Sequence, residues 1–440
     1  MKRYVSLFTL VALVALMLAA CGGETPAPAT QATTAPTTAA DAPADGTPAT
    51  DATAETPAQA EPTEPAEPVT ITIWHNWQGE YYNTIEAVLT EYGEANNVQV
   101  ELLRVADLND KVMTAVPSGE GPDIIAWVND QIGKNVLAMI IQPVNRYGID
   151  EAYLRENFAP VAVDAMIYEA QTWGVPESLE ALTFIYNKAL ISEDELPQNT
   201  DELIARAREY NTAEQYLFVY NGRSEAYFSA PWWQGAGVSL VNPNGTTGLN
   251  SPEGIAAGEL IAEFSTIMPQ EMDYSIADTL FKEGKAAIIM NGPWAIADYL
   301  EAGLDVGLAT IPVVSSSGQP GMPFVGVKML MLANNARQPE AAIALMQHYG
   351  TAEVQARLAE ANKQVPANIE AQAQVADDPI IAAFIAQTVN GKPMPNNEFI
   401  DAMWDPINQT VEAIWTGAAT PDAAIEAGEA LFNEKAQDLR

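Results

Sequence analysis

The residues of this chain best suited to handling a ligand are aromatic rings that stand where strands end. Trp127 closes the run DIIAW, and Asp130 follows it in the next loop. Trp294 follows IIMN in the segment NGPWAI, and Trp74 closes VTITIW with Trp77 three residues on. Tyr227 with Phe228, the pair Trp232–Trp233, and Trp404 in MWDPIN stand elsewhere. Asp, Glu or Asn lies near each strand-end ring. A flat ring can cover the apolar C–H face of a pyranose, while carboxylates and amides bond its hydroxyls, and a bond left unmade is costly. A ring at a strand end also serves to plug the edge of a core, and both roles stay open for these positions.

Other chemistries find less support. The single cysteine, Cys21, excludes an intrachain disulfide or a cysteine metal cage, and two histidines, His75 and His348, exclude a site built on several. No G-x-S-x-G nucleophile elbow is present. GEGPDI carries two glycines, but a proline removes a backbone donor, so it reads as a helix stop feeding a strand instead of a phosphate loop. Formal charge is −38, from 58 acids against 20 bases, which repels phosphate backbones and argues against nucleic acid. The same charge favours a soluble monomer. Paired carboxylates for glycoside hydrolysis can be picked from so acidic a chain almost anywhere, which makes their presence weak support.

The elements that would position the rings follow from hydrophobic period. VTITIW and VQVELL alternate as strands, and Ile85, Val88, Leu89 and Tyr92 fall on one helical face. Leu108, Val112, Met113 and Val116 give a second helix, stopped near Pro117 to Gly119. DIIAW, LTFIYN (Leu182 to Asn187) and AAIIMN (Ala286 to Asn291) read as buried strands. Thr200 to Tyr210, with Thr200 as cap, Pro339 to Tyr349 and Ala423 to Asp438 read as helices. The order strand, helix, strand, helix, strand predicts an α/β domain with a mainly parallel sheet, and 440 residues predict two lobes with a cleft between them.

The first 68 residues are expected to lie outside that fold. Lys2 and Arg3 precede an apolar run, the pattern of a signal peptide over residues 1–20. LAAC, ending at Cys21, resembles the lipobox of bacterial lipoproteins, in which the cysteine is lipidated. Residues 21–68, rich in Ala, Thr, Pro and acids, predict a disordered tether. The folded part is thus expected on the outer side of the cell membrane, held by lipid.

GEGPDIIAWVND, IYNKALI, DYSIADTLFKEGKAAIIMNGPWAI and PFVGV closely resemble the maltose/maltodextrin-binding proteins of ABC importers, in order from about Val69 to the C-terminus. The resemblance implies a two-lobed periplasmic-binding-protein-like α/β fold with an interlobe ligand cleft. Its lobes would be 69–178 plus 327–373 and 179–326 plus 374–440. It implies capture of a malto-oligosaccharide or related α-glucan and delivery to membrane permease subunits, with no cofactor and no bond broken. Trp127, Asp130, Glu180, Glu225, Tyr227, Trp294 and Trp404 fall on the family's sugar-binding positions. The family's Asp-Lys pair in the first loop is absent from HNWQGEYYN, where Trp77, Gln78 or Glu80 would substitute. Gln131 stands at an arginine position, and Asp405 and Asn408 stand where the family has a tyrosine and an arginine. The aromatic platform is kept and cationic donors are lost, which matters because an amide does not replace an arginine fork. An extracellular glycoside hydrolase and a sugar-binding sensor or adhesion component are the alternative readings.

Overall fold

A computed structural model describes residues 68–440; Cys21, the signal peptide and the tether fall outside the described residues. The chain builds two sheets. The first has seven strands, in the order 365–366, 175–181, 324–332, 124–128, 69–75 and 98–104, with 392–393 paired onto 324–325. The second has four, in the order 306–309, 183–187, 286–291 and 216–219.

Local sequence accounts for the first unit. The helix Gly79–Asn96 buries Ile85, Val88, Leu89, Tyr92 and Gly93, and Asn97 closes it in the left-handed region. The helix Leu108–Ser118 runs on through Pro117, and Gly119, at φ 80°, provides the stop. The helix Thr200–Tyr210 has the expected span, but its cap is one residue earlier. Asn199 accepts from the Glu202 amide, while Thr200 is buried against Ser315.

The expectation of a mainly parallel sheet is corrected. Strand 69–75 is parallel to both 98–104 and 124–128, as helical crossovers require. Strand 324–332 instead arrives from the second sheet and runs antiparallel to 124–128 and 175–181. In the second sheet only 216–219 and 286–291 are parallel. The positions 178/179 and 326/327 fall inside strands Val175–Ala181 and Phe324–Leu332, both members of the first sheet, so the chain leaves that sheet after Ala181. At the crossing, Thr183 donates to the Ala309 carbonyl at 2.7 Å, and the buried Gln387 accepts from the Ile311 amide at 2.8 Å.

Asp123 fastens the central strands. It is fully buried and accepts from the Thr72 amide at 2.9 Å, the Arg337 amide at 2.7 Å and the Arg337 guanidinium at 3.1 Å. Asp123→Ala orphans two backbone donors and should lower unfolding free energy by about 2–4 kcal/mol. Arg337→Ala, whose side chain is 62% exposed, should cost about 1 kcal/mol or less. Urea denaturation of both variants checks this, and equal losses would contradict it.

Candidate functional site

Trp294 gets its position from the two residues before it. Asn291 ends the buried strand 286–291; its side-chain Nδ2 donates to Tyr299 Oη at 2.8 Å, and its side-chain Oδ1 accepts from the Gly292 backbone amide at 2.9 Å. Pro293 then opens a short 3-10 turn. The indole folds back over Gly292 so closely that a Cβ there would lie 2.2 Å from the ring. Glycine is therefore needed for close approach, not for a positive φ. Nε1 donates to Tyr274 Oη at 3.2 Å, and the residue is left 43% exposed. A ring seated on one face and open on the other is a platform. Trp232 and Trp233, by contrast, are fully buried, Trp232 against Phe218 and Phe264 and Trp233 with its Nε1 donating to Ser229 Oγ, and are core plugs.

The platform faces a cavity of about 930 Å³ lined by the first sheet with its flanking segments and by the turn and helix that follow strand 286–291. Trp77, Gln78, Glu80 and Tyr81 come from the first loop and helix, and Trp127 from the end of strand 124–128. Glu177 and Glu180 project from strand 175–181, Lys328 from strand 324–332, and Lys363 from the segment before 365–366. Four expected residues thus meet in one cavity: Trp77, Trp127, Glu180 and Trp294. Tyr227 joins through its ring, 6.3 Å from Trp294 and 6.4 Å from Phe324, and Trp404 lies one ring further, 6.5 Å from Phe324. Burial, reinforced by the Glu180 charge, pushes the Tyr227 phenol up.

Asp130, Glu225, Tyr227 and Trp404 are not among the residues lining the cavity. Glu225 caps the helix Ala226–Ala236, its carboxylate accepting from the Tyr227 amide at 3.3 Å. Asp130 sits in the turn after Trp127, with one carboxylate oxygen buried and unpartnered. Burial pushes its carboxyl up to about 6, with Asp401 adding to the rise and hydrogen bonding from Gln131 opposing it. Trp77 is only 5% exposed. It is stacked between His75 at 4.6 Å and Tyr349 at 6.3 Å, so it forms wall more than open platform. His75 Nδ1 accepts from the Trp77 amide at 3.1 Å, and burial, with Arg104 assisting, lowers its pKa to about 4. The neutral ring beneath Trp77 therefore carries its hydrogen on Nε2.

Sequence reasoning missed Tyr81, Glu177 and Lys328. The family's cationic positions are not where the cleft's cation stands: Lys328 supplies one from strand 324–332. Its ammonium lies 2.7 Å from Glu180 Oε1 and 5.0 Å from the centroid of the Tyr81 ring. The signal was one residue past PFVGV, a lone charge in FVGVKMLML. Glu177 accepts from Tyr349 Oη at 2.9 Å and leaves Oε1 buried without a partner, as is the Tyr81 hydroxyl. Unpartnered buried polar atoms around a cavity are what incoming hydroxyls would satisfy. Among the described residues no group of three or more His, Cys, Asp or Glu is placed to hold a metal ion.

Two α/β lobes around a ring-lined cleft define a ligand-binding protein of the periplasmic-binding type. Residues 76–356 match the family of bacterial extracellular solute-binding proteins, and the chain belongs to that family. Its members bind solutes and are not enzymes. The chain is 28% identical over 352 residues to a maltotriose-binding protein of Pyrococcus abyssi, covering 78% of this chain and 77% of that one. It is 24% identical over 380 residues to a galactooligosaccharide-binding protein of Bacillus subtilis, covering 81% and 87%. The crystal structure of a cyclo/maltodextrin-binding protein complexed with maltotetraose superposes with a TM-score of 0.78 at 27% identity, covering 86% of this chain and all of that one.

Burial pushes the Glu177 carboxyl from 4.5 up to about 7, against the opposing pull of Lys328 and the Tyr349 hydroxyl. A raised carboxyl favours the folded state below pH 4.5, and that contribution is lost as pH rises through 7. Glu177→Gln is neutral throughout, so its stability relative to the parent should rise between pH 5 and pH 8 by on the order of 2–3 kcal/mol. Melting curves of both proteins at the two pH values read this, and a pH-independent difference would contradict it.

Proposed function

We propose that this protein captures malto-oligosaccharides, or a related α-glucan, in the cleft and delivers them to ABC permease subunits. In this reading it acts as a monomer anchored to the outer face of the cell membrane through lipidated Cys21. Trp294, Tyr227, Trp127 and Trp404 stack sugar rings, and Asp130, Glu180 and Glu225 bond hydroxyls, with Trp77 forming the cleft wall. The lobes are taken to divide near 69–178 with 327–373 and 179–326 with 374–440, although 178/179 and 326/327 lie within first-sheet strands and the chain leaves that sheet only after Ala181. The observation that carries the reading is the open face of Trp294 over a cavity with unpartnered polar atoms. The maltotriose-binding and maltotetraose-bound relatives support the sugar class, and the galactooligosaccharide-binding relative supplies its main competitor.

Calorimetry against maltose, maltotriose, cyclodextrin, trehalose, cellobiose and a galacto-oligosaccharide tests the sugar class. Binding to none of the α-glucosides would reject the maltodextrin part. Overnight incubation with maltotetraose should leave it intact. Trp294→Ala should weaken binding of the preferred sugar by about 1–3 kcal/mol through lost stacking and burial. Melting of the unliganded variant should barely change. Unchanged affinity with a large drop in melting temperature would show the ring to be core.

A further inference from the structure

Lys328 is the one half-buried position in the strand Phe324–Leu332, whose other eight residues are all buried. An ammonium in such a strand is costly unless paired. Burial works against its charge, but Glu180 and Glu177 outweigh that and hold it above the ordinary lysine range. The Lys328–Glu180 pair is not sealed into the core, however. The two side chains are 26% and 22% exposed, and both line the cavity. An ammonium carries three protons, and the contact with Glu180 engages only one. Within the same lining, the Tyr81 hydroxyl and Glu177 Oε1 are buried without partners. Lys363, the other lysine of the lining, is matched by Asp378 at 2.6 Å.

We propose that Lys328 is a specificity-determining residue of the cleft. With Glu180 it reads adjacent hydroxyls of a neutral sugar, the ammonium donating to one and the carboxylate accepting from its neighbour. Because each lysine of the lining already has a carboxylate partner, the site has no spare positive charge for a uronate or a sulfated sugar. This inference rests on the sugar-binding reading above.

A double-mutant cycle on the full chain, titrated with maltotriose in a calorimeter, tests it. The proteins are wild type, Lys328→Met, Glu180→Gln and the double variant. Lys328→Met should lose about tenfold or more in affinity, and the loss should persist at about fivefold in the Glu180→Gln background, because the ammonium itself bonds sugar. If Lys328 only neutralises Glu180, its removal from the Glu180→Gln protein changes nothing, and that result would overturn the proposal. Should Lys328→Met fail to fold, Lys328→Arg carries the test, since it keeps the charge and the ion pair. Its larger fork in the cavity should weaken maltotriose about fivefold while the free protein melts as before, and unaltered affinity would overturn the proposal. A wild-type protein that ignores maltotriose would overturn the maltodextrin reading as well, whereas binding that is indifferent to Lys328 overturns this inference alone.

Discussion

The 2.7 Å ion pair between Lys328 and Glu180 is the contact on which the cleft depends. The two residues stand on adjacent antiparallel strands, Glu180 opposite Gly326 and Lys328 opposite Ser178. Both strands are otherwise nearly all buried, so either charge alone would be a half-buried, uncompensated ion. Paired, they put a donor and an acceptor side by side where the first sheet hands the chain to the second. Tyr227, from the helix Ala226–Ala236, feels the Glu180 charge and carries the contact on to Trp294 and, through Phe324, to Trp404. The charged lining residues thus all come from the first-sheet side, together with the rings of Trp77, Tyr81 and Trp127, while Trp294 and its neighbours present an uncharged face opposite them.

That division suits holding a ligand better than breaking a bond in it. Glu180 is neutralised by a lysine, and Glu177 by burial has its carboxyl raised to about 7 with a tyrosine hydroxyl on it. Glu225 is occupied with a helix cap. These acids are tied to lysine, hydroxyl or backbone, in keeping with a solute-binding family and with the absence of a nucleophile motif in the sequence. Specificity then rests on ring placement and on which hydroxyls can meet a donor and an acceptor at once.

Much of this was legible in the chain. Helical period and alternation marked the elements that bury one face, as Ile85, Val88, Leu89 and Tyr92 show, and short continuous apolar runs marked the fully buried strands 183–187 and 286–291. Strand direction was not legible, because 324–332 enters from another sheet and nothing local records that. The tryptophans were visible as types but not as roles. Trp294 and Trp232 look alike in sequence, and only the seat on Gly292 and the packing against Phe264 separate a platform from a plug. Lys328 stands alone among apolar residues and a glycine in FVGVKMLML, and a lone charge in such a run is itself the clue. Glu177 shares VPESLEA with Glu180, so nothing in that run singles it out.

A crystal structure of the protein soaked or grown with maltotriose tests the central claim most directly. One sugar ring should lie on the open face of Trp294, with adjacent hydroxyls of the saccharide within hydrogen-bond distance of Glu180 and Lys328. Sugar bound elsewhere, or bound in the cleft with the Lys328–Glu180 pair turned away from it, would contradict that account.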